Sequence, residues 1–187
     1  MKNIIKTLAI IALAVITISC NTDDGTSTTG NTQEYFKYKI DDGPVRTFDY
    51  QAEGHLETHT SSIIDRYEIN AIGISADTGE VRRIGGSFTF DSSGPFMPNT
   101  VYNWGWATDN DPTAKFFFIE RTPSNLFALS LDFTMSAIIT EVTSPNPTNI
   151  GDYLEFVFAG TYQDANNVTH SIEGQCRVLR DMDQNNP

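Results

Sequence analysis

His55, Glu57 and His59 carry the ligand types of a two-histidine, one-carboxylate metal site, and they occupy alternate positions of His55-Leu56-Glu57-Thr58-His59. On a strand, residues two apart project to one side at steps of ~6.6 Å, so the three would share a face and could approach one cation. The competing reading is the solvent face of an edge strand with Leu56 directed inward. Sites of this kind generally draw ligands from more than one strand, and the spacing is not the helical His-Glu-x-x-His arrangement. The solvated face is the expectation, with no metal and no other cofactor.

Tyr102, Trp104 and Trp106 follow the same two-residue spacing, alternating with Asn103 and Gly105. One strand face should therefore carry all three aromatics. Exposed, they would make a flat platform for sugar rings, with Asp109, Asn110 and Asp111 nearby to bind hydroxyls. Buried, they are core, as large aromatics in a small all-β domain usually are. Asp109-Asn110-Asp111 also offers oxygen ligands at alternate positions, as calcium loops do. The later Gly and Glu of such a loop are missing, and a turn before Pro112 accounts for the acids.

Signatures of catalysis are absent. No Gly-x-Ser-x-Gly elbow, phosphate-binding loop or dinucleotide fingerprint occurs. Cys176 lies in an alternating run, and His170 would stand about 20 Å away on an extended strand, too far to activate a thiolate. The cysteine reads as a small apolar side chain. Acids are plentiful, but carboxylate separation is a three-dimensional property, so no acid–base pair emerges. The sequence predicts a protein that is not an enzyme.

The elements that must position these residues are strands. Tyr35–Ile40, Val45–Tyr50, Arg66–Ser75, Val81–Phe90, Thr100–Ala107 and Lys115–Arg121 are β-rich runs, most of them closed by Asp, Gly, Pro or Asn turns such as Asp41-Asp42-Gly43-Pro44. The clearest alternation is Phe127, Leu129, Leu131, Phe133 and Met135, which puts large apolar groups on one face. Ala137–Val142 follows, then Leu154–Tyr162 and Thr169–Arg180 with a turn between them. No 3.6-residue period is sustained. About ten short strands argue for an antiparallel sandwich or barrel, and a single antiparallel β-sandwich over residues 34–180 is expected, followed by a polar, frayed tail at 181–187.

Ahead of the strands, Lys2 and Lys6 precede an apolar run, Leu8–Ile18, of about 11 residues, well short of the ~20 that cross a bilayer. Ser19 and Cys20 end it, which is the order of a secretory signal. Thr17-Ile18-Ser19-Cys20 resembles the lipobox of bacterial lipoprotein precursors at positions −2, −1 and the cysteine, with Thr17 departing from the usual Leu. The resemblance implies a signal peptide over 1–19 and a diacylglycerol-linked, N-acylated Cys20, and several acyl chains hold a protein firmly to a membrane. Asn21-Thr22-Asp23-Asp24-Gly25 is similar to the acidic export signal of Bacteroidota-type lipoproteins, which implies the outer face of the outer membrane. Residues 20–33 otherwise read as a Thr/Ser/Gly/Asn tether. Gly160-Thr161-Tyr162 and Gly174-Gln175-Cys176 resemble paired elements of small uncharacterised β-domains of such lipoproteins, with Cys176 in place of the second aromatic; that resemblance supplies no chemistry.

Charge narrows the partners. The chain has 12 basic and 24 acidic residues, and loss of Lys2 and Lys6 with the signal takes its net charge from −12 to −14. A surface so acidic repels nucleic-acid backbones and anionic head groups, so membrane contact should come through the lipid on Cys20 alone. With Cys20 acylated, Cys176 has no disulfide partner. The expected protein is a monomeric, lipid-anchored binding or structural module at the cell surface, with a glycan or surface protein as partner. The alternative within that class is a carbohydrate-binding module using Trp104 and Trp106, with Tyr102, Asp109 and Asp111 alongside.

Overall fold

Aromatic and β-branched runs punctuated by Gly, Asp and Pro turns form strands throughout the computed structural model. The structure describes residues 33–59, 63–75, 78–94, 96, 100–122, 126–128, 136–145, 147–164, 166–181 and 184–186. The leader, Cys20 and the acidic tether lie outside the described residues, as does most of the Phe127–Met135 alternation. In chain order the strands are β1 (Tyr35–Ile40), β2 (Arg46–Phe48), β3 (Tyr50–His59), β4 (Ile64–Ile74), β5 (Val81–Asp91), β6 (Val101–Trp104), β7 (Lys115–Arg121), β8 (Leu126–Ala128), β9 (Ser136–Val142), β10 (Tyr153–Gln163), β11 (Thr169–Leu179) and β12 (Gln184–Asn186).

All twelve belong to one sheet, ordered β12-β3-β4-β5-β7-β6-β9-β10-β11-β1-β2, with β8 beside β7. This corrects the expected sandwich of antiparallel sheets. The protein is all-β, but its single sheet is mixed, because β6 runs parallel to β7 and β12 parallel to β3. The two ends of the strand order also meet. β2 and β3 are separated only by Asp49, and β3 is itself kinked near its start, where Gln51 takes φ 47° and the register shifts between Tyr50 and Glu53. β2 bonds to β1 while β3 bonds to β4, and a Cβ on Gly73 of β4 would strike the Thr47 carbonyl of β2. Just past the end of β11, the Asp181 amide donates to the Gly54 carbonyl of β3 at 2.8 Å. The sheet thus nearly closes into a barrel, which removes most of its open edges. The tail expected to fray instead supplies β12, paired with Glu57–His59.

Alternation explains the interior. Phe36 and Tyr38 of β1, Phe88 of β5, Phe116 and Phe118 of β7, and Phe156 and Phe158 of β10 are all buried. The Phe36 ring lies 5.1 Å from that of Phe118 and 5.7 Å from that of Phe158. Each such side chain contributes about 1.5–3 kcal/mol through burial. Cys176 sits in register with Phe36 on one side and Phe156 on the other. It is buried, and that burial pushes its thiol pKa well up, so it acts as an apolar filler. Gly160 and Gly174 mark crowded crossings. A Cβ on Gly174 would meet the Lys37 carbonyl at 2.6 Å and run into the Phe158 ring, and one on Gly160 would run into the Ala137 backbone.

Candidate functional site

The outer surface of β4, β5 and β7 is organised in ranks set by register. Ile72, Arg83 and Arg121 form one rank, Asn70, Gly85 and Ile119 the next, and Glu68, Ser87 and Phe117 a third. Gly85 lacks a side chain in the middle rank, so the surface dips between its neighbours. A Cβ placed there would meet only Asn70 Oδ1 at 3.9 Å and Ile119 Cγ1 at 4.0 Å. The space is therefore open rather than required by crowding. The dip is part of a trough of ≈ 320 Å³, within the size range of small-molecule sites.

Trp106 forms a wall of this trough, and the chain places it there by breaking the expected alternation. β6 stops at Trp104, and Gly105 takes φ 142°, a conformation that side-chain-bearing residues rarely adopt. The chain must then cross over so that β7 can run parallel to β6. That crossover lies across the outside of β5, where the Ala107 amide donates to Thr89 Oγ1 at 2.8 Å. Thr89 and Ser87 are outward-facing by parity yet buried. The Trp106 ring packs edge-on to Phe117, 4.7 Å between centroids, and the Arg66 guanidinium sits 4.6 Å from its centre. Trp106 remains half-buried.

The three aromatics of the expected platform therefore separate. Tyr102 and Trp104 are 1% and 6% exposed and belong to the core, with Tyr102 edge-on to Phe88 at 4.9 Å and Trp104 edge-on to Phe118 at 5.6 Å. Trp106 alone reaches the outside. Asp109 and Asp111 are exposed in a turn closed by mutual Thr108 and Asp111 backbone bonds of 2.9 Å. Asp111 accepts from the Thr113 amide at 3.3 Å and pairs with Lys115 at 3.4 Å, and these contacts, the Thr113 bonds first, lower its pKa. It serves the turn and does not line the trough.

His55 and Glu57 do share a face of β3, with His55 Nε2 3.6 Å from Glu57 Oε1. His55 is in register with Glu68 of the trough. The side chain of His59 lies outside what the structure describes. Among the described residues no group of three or more His, Cys, Asp or Glu converges on a point. Ser87 Oγ donates to Glu68 Oε1 at 2.9 Å. Burial raises the Glu68 pKa, that hydrogen bond opposes the rise, and Glu57 adds to it.

Two further polar clusters serve the scaffold. Inside the barrel, Glu120 of β7 is 2% exposed and accepts from the Tyr38 hydroxyl and from Arg46 Nη1 at 3.0 Å, with Arg82 Nη1 3.4 Å from its other oxygen. Burial, then the Glu120 charge, holds the Tyr38 proton on. The cluster ties β1, β2, β5 and β7 together near the seam. At the surface, His170 Nδ1 lies 2.7 Å from Asp41 and Nε2 3.6 Å from Asp164. Ser171 is adjacent, but its hydroxyl donates to Asp41 at 3.1 Å and is not engaged by His170, so no activated nucleophile results.

Two residues that sequence reading passed over, Phe117 and Ile119, were signalled by β7 itself: Lys115–Arg121 is apolar on both parities, as in strands covered on both faces. Comparison with protein-family models, with curated proteins and with solved structures returned no match.

Proposed function

We propose that this protein is a non-catalytic, carbohydrate-binding lipoprotein, tethered through acylated Cys20 to the outer membrane and facing the cell exterior. The observation that carries the binding reading is the trough on the outer wall of the sheet, floored by a glycine and walled by Trp106 and Phe117. Flat aromatic faces with a few fixed polar groups suit sugar rings, whose apolar faces stack while their hydroxyls bond sideways. Asn70, Ser87 and Glu68 supply donors and acceptors at that level. The placement in the membrane rests on the lipobox-like Thr17-Ile18-Ser19-Cys20 and the acids after it.

A glycan array probed with the full-length protein in detergent tests the binding, with Trp106→Ala as the matched control. Retention on the array by the wild type, lost in the variant while thermal unfolding is unchanged, is the expected result. Equal retention by both proteins places the sugar elsewhere. Cell fractionation of Cys20→Ala tests the anchor: the variant should leave the membrane fraction.

A further inference from the structure

Arg83 and Arg121 face each other directly across the β5–β7 ladder at one end of the trough. Both are exposed, and among the described residues neither has an ion-pair partner. Like charges directly opposite on neighbouring strands destabilise a sheet. The arrangement is the more unexpected because the chain carries twice as many acids as bases, 24 against 12. Three of its other arginines are neutralised: Arg46 and Arg82 pair with Glu120, and Arg177 pairs with Glu155 at 2.6 Å. Two unneutralised guanidinium groups side by side, opening into a concavity, make a fork for an oxyanion that the chain does not itself provide.

We infer that the trough takes an acidic saccharide, with a sugar ring against Trp106 and a carboxylate or sulfate held between Arg83 and Arg121. This rests on the carbohydrate reading above and names its ligand class. The polarity of the trough orients the ligand. Glu68, in register with Ser87, lies two ranks from the arginines, about 13 Å along β5 at ~3.3 Å per residue. The anionic group is thus drawn to the arginine end and repelled from the other. That length also fits an oligosaccharide better than a single ring. A net charge of −12 discourages indiscriminate binding of polyanions, so retention of one points to a local site.

Native affinity electrophoresis of the full-length protein in detergent, through gels containing polygalacturonate, dextran sulfate, or neutral dextran and mannan, tests this. Retardation by polygalacturonate, by dextran sulfate, or by both supports the inference, and the pattern tells carboxylate from sulfate recognition. Arg83→Gln and Arg121→Gln should each weaken that retardation about tenfold, the cost of losing one charge-assisted contact. Neither should lower the thermal midpoint, since each relieves repulsion in the unliganded protein. Gly85→Val, which fills the trough where a Cβ meets no close neighbour, should abolish retardation in a folded protein. Equal retardation by neutral and acidic polymers, or retardation indifferent to both arginines, overturns the acidic preference and leaves the sugar site standing. Retardation by the acidic polymers that survives Trp106→Ala overturns the sugar contact and with it the carbohydrate reading. No retardation by any polymer overturns both.

Discussion

Trp104 and Trp106 are two residues apart and lie on opposite faces of the same sheet, one packed on Phe118 inside and the other on Phe117 outside. Their substitutions should diverge accordingly. Trp104→Ala opens a large cavity and should cost about 3–5 kcal/mol. Trp104→Phe should cost much less, because the buried indole Nε1 finds no hydrogen-bond partner among the described residues, so the substitution also removes an unmet donor. Trp106→Ala should cost about 1 kcal/mol or less. Urea unfolding of the three variants separates these cases.

Two glycines make a parallel contrast. A methyl group at Gly174 has nowhere to go between the Lys37 carbonyl and the Phe158 ring, so Gly174→Ala should destabilise by about 1–3 kcal/mol. Gly85→Ala enters open space and should be neutral or slightly stabilising, because alanine loses less conformational freedom on folding. A reversal in thermal midpoints between the two would show that the strand crossing at Gly174 is looser than described.

The interior carboxylate offers a third measurement. Glu120→Ala leaves the Tyr38 hydroxyl, Arg46 and Arg82 without their shared acceptor and should cost about 3 kcal/mol, the lower range for breaking a buried pair. Glu120→Gln keeps an acceptor oxygen and should fall between the alanine variant and the wild type. Loss of the seam rather than of one contact would appear as a lower urea dependence of unfolding as well as a lower midpoint.

Stability should also respond to pH through His170 and its two aspartates. The hydrogen bond to Asp41 raises the His170 pKa from 6.5, and bonds to His170 and Ser171 lower that of Asp41 from 3.8. The histidine contribution is fully present below pH 6.5 and is lost as pH rises through its elevated value. The Asp41 contribution is present above pH 3.8 and is lost as pH falls through its depressed value. The thermal midpoint difference between wild type and His170→Ala should therefore be largest near pH 5 and shrink on either side. A difference independent of pH would assign His170 a packing role on Tyr162, whose ring it stacks against at 5.3 Å.

Strand identity was legible in this sequence wherever turn residues bounded an alternating run. β1 and β7 begin and end where Asp41-Asp42-Gly43-Pro44 and the flanking polar residues require. Sheet order was not legible, because period-2 alternation says which face a residue takes and nothing about which strand lies beside it. The parallel β6–β7 ladder has no local signature, and it is the reason the chain between them crosses outside the barrel. Trp106 was placed on one face with Tyr102 and Trp104 for that reason: Gly105 resets the alternation, and a glycine between two tryptophans reads in sequence as a gap in a face. The arginine fork was invisible for a simpler cause. Arg83 and Arg121 belong to different strands and meet only through the register of the ladder.

Phe36 pairs with Cys176, so the first strand of the folded unit is held by the eleventh. Until that last long strand emerges and docks, β1 and β10 each keep a bare row of amides and carbonyls, the template on which foreign strands add. A chain stalled or clipped before Thr169 is left with two sticky margins in place of a smaller barrel, and its natural fate is self-association. Everything upstream stays provisional until the stitch at Phe36 is drawn tight.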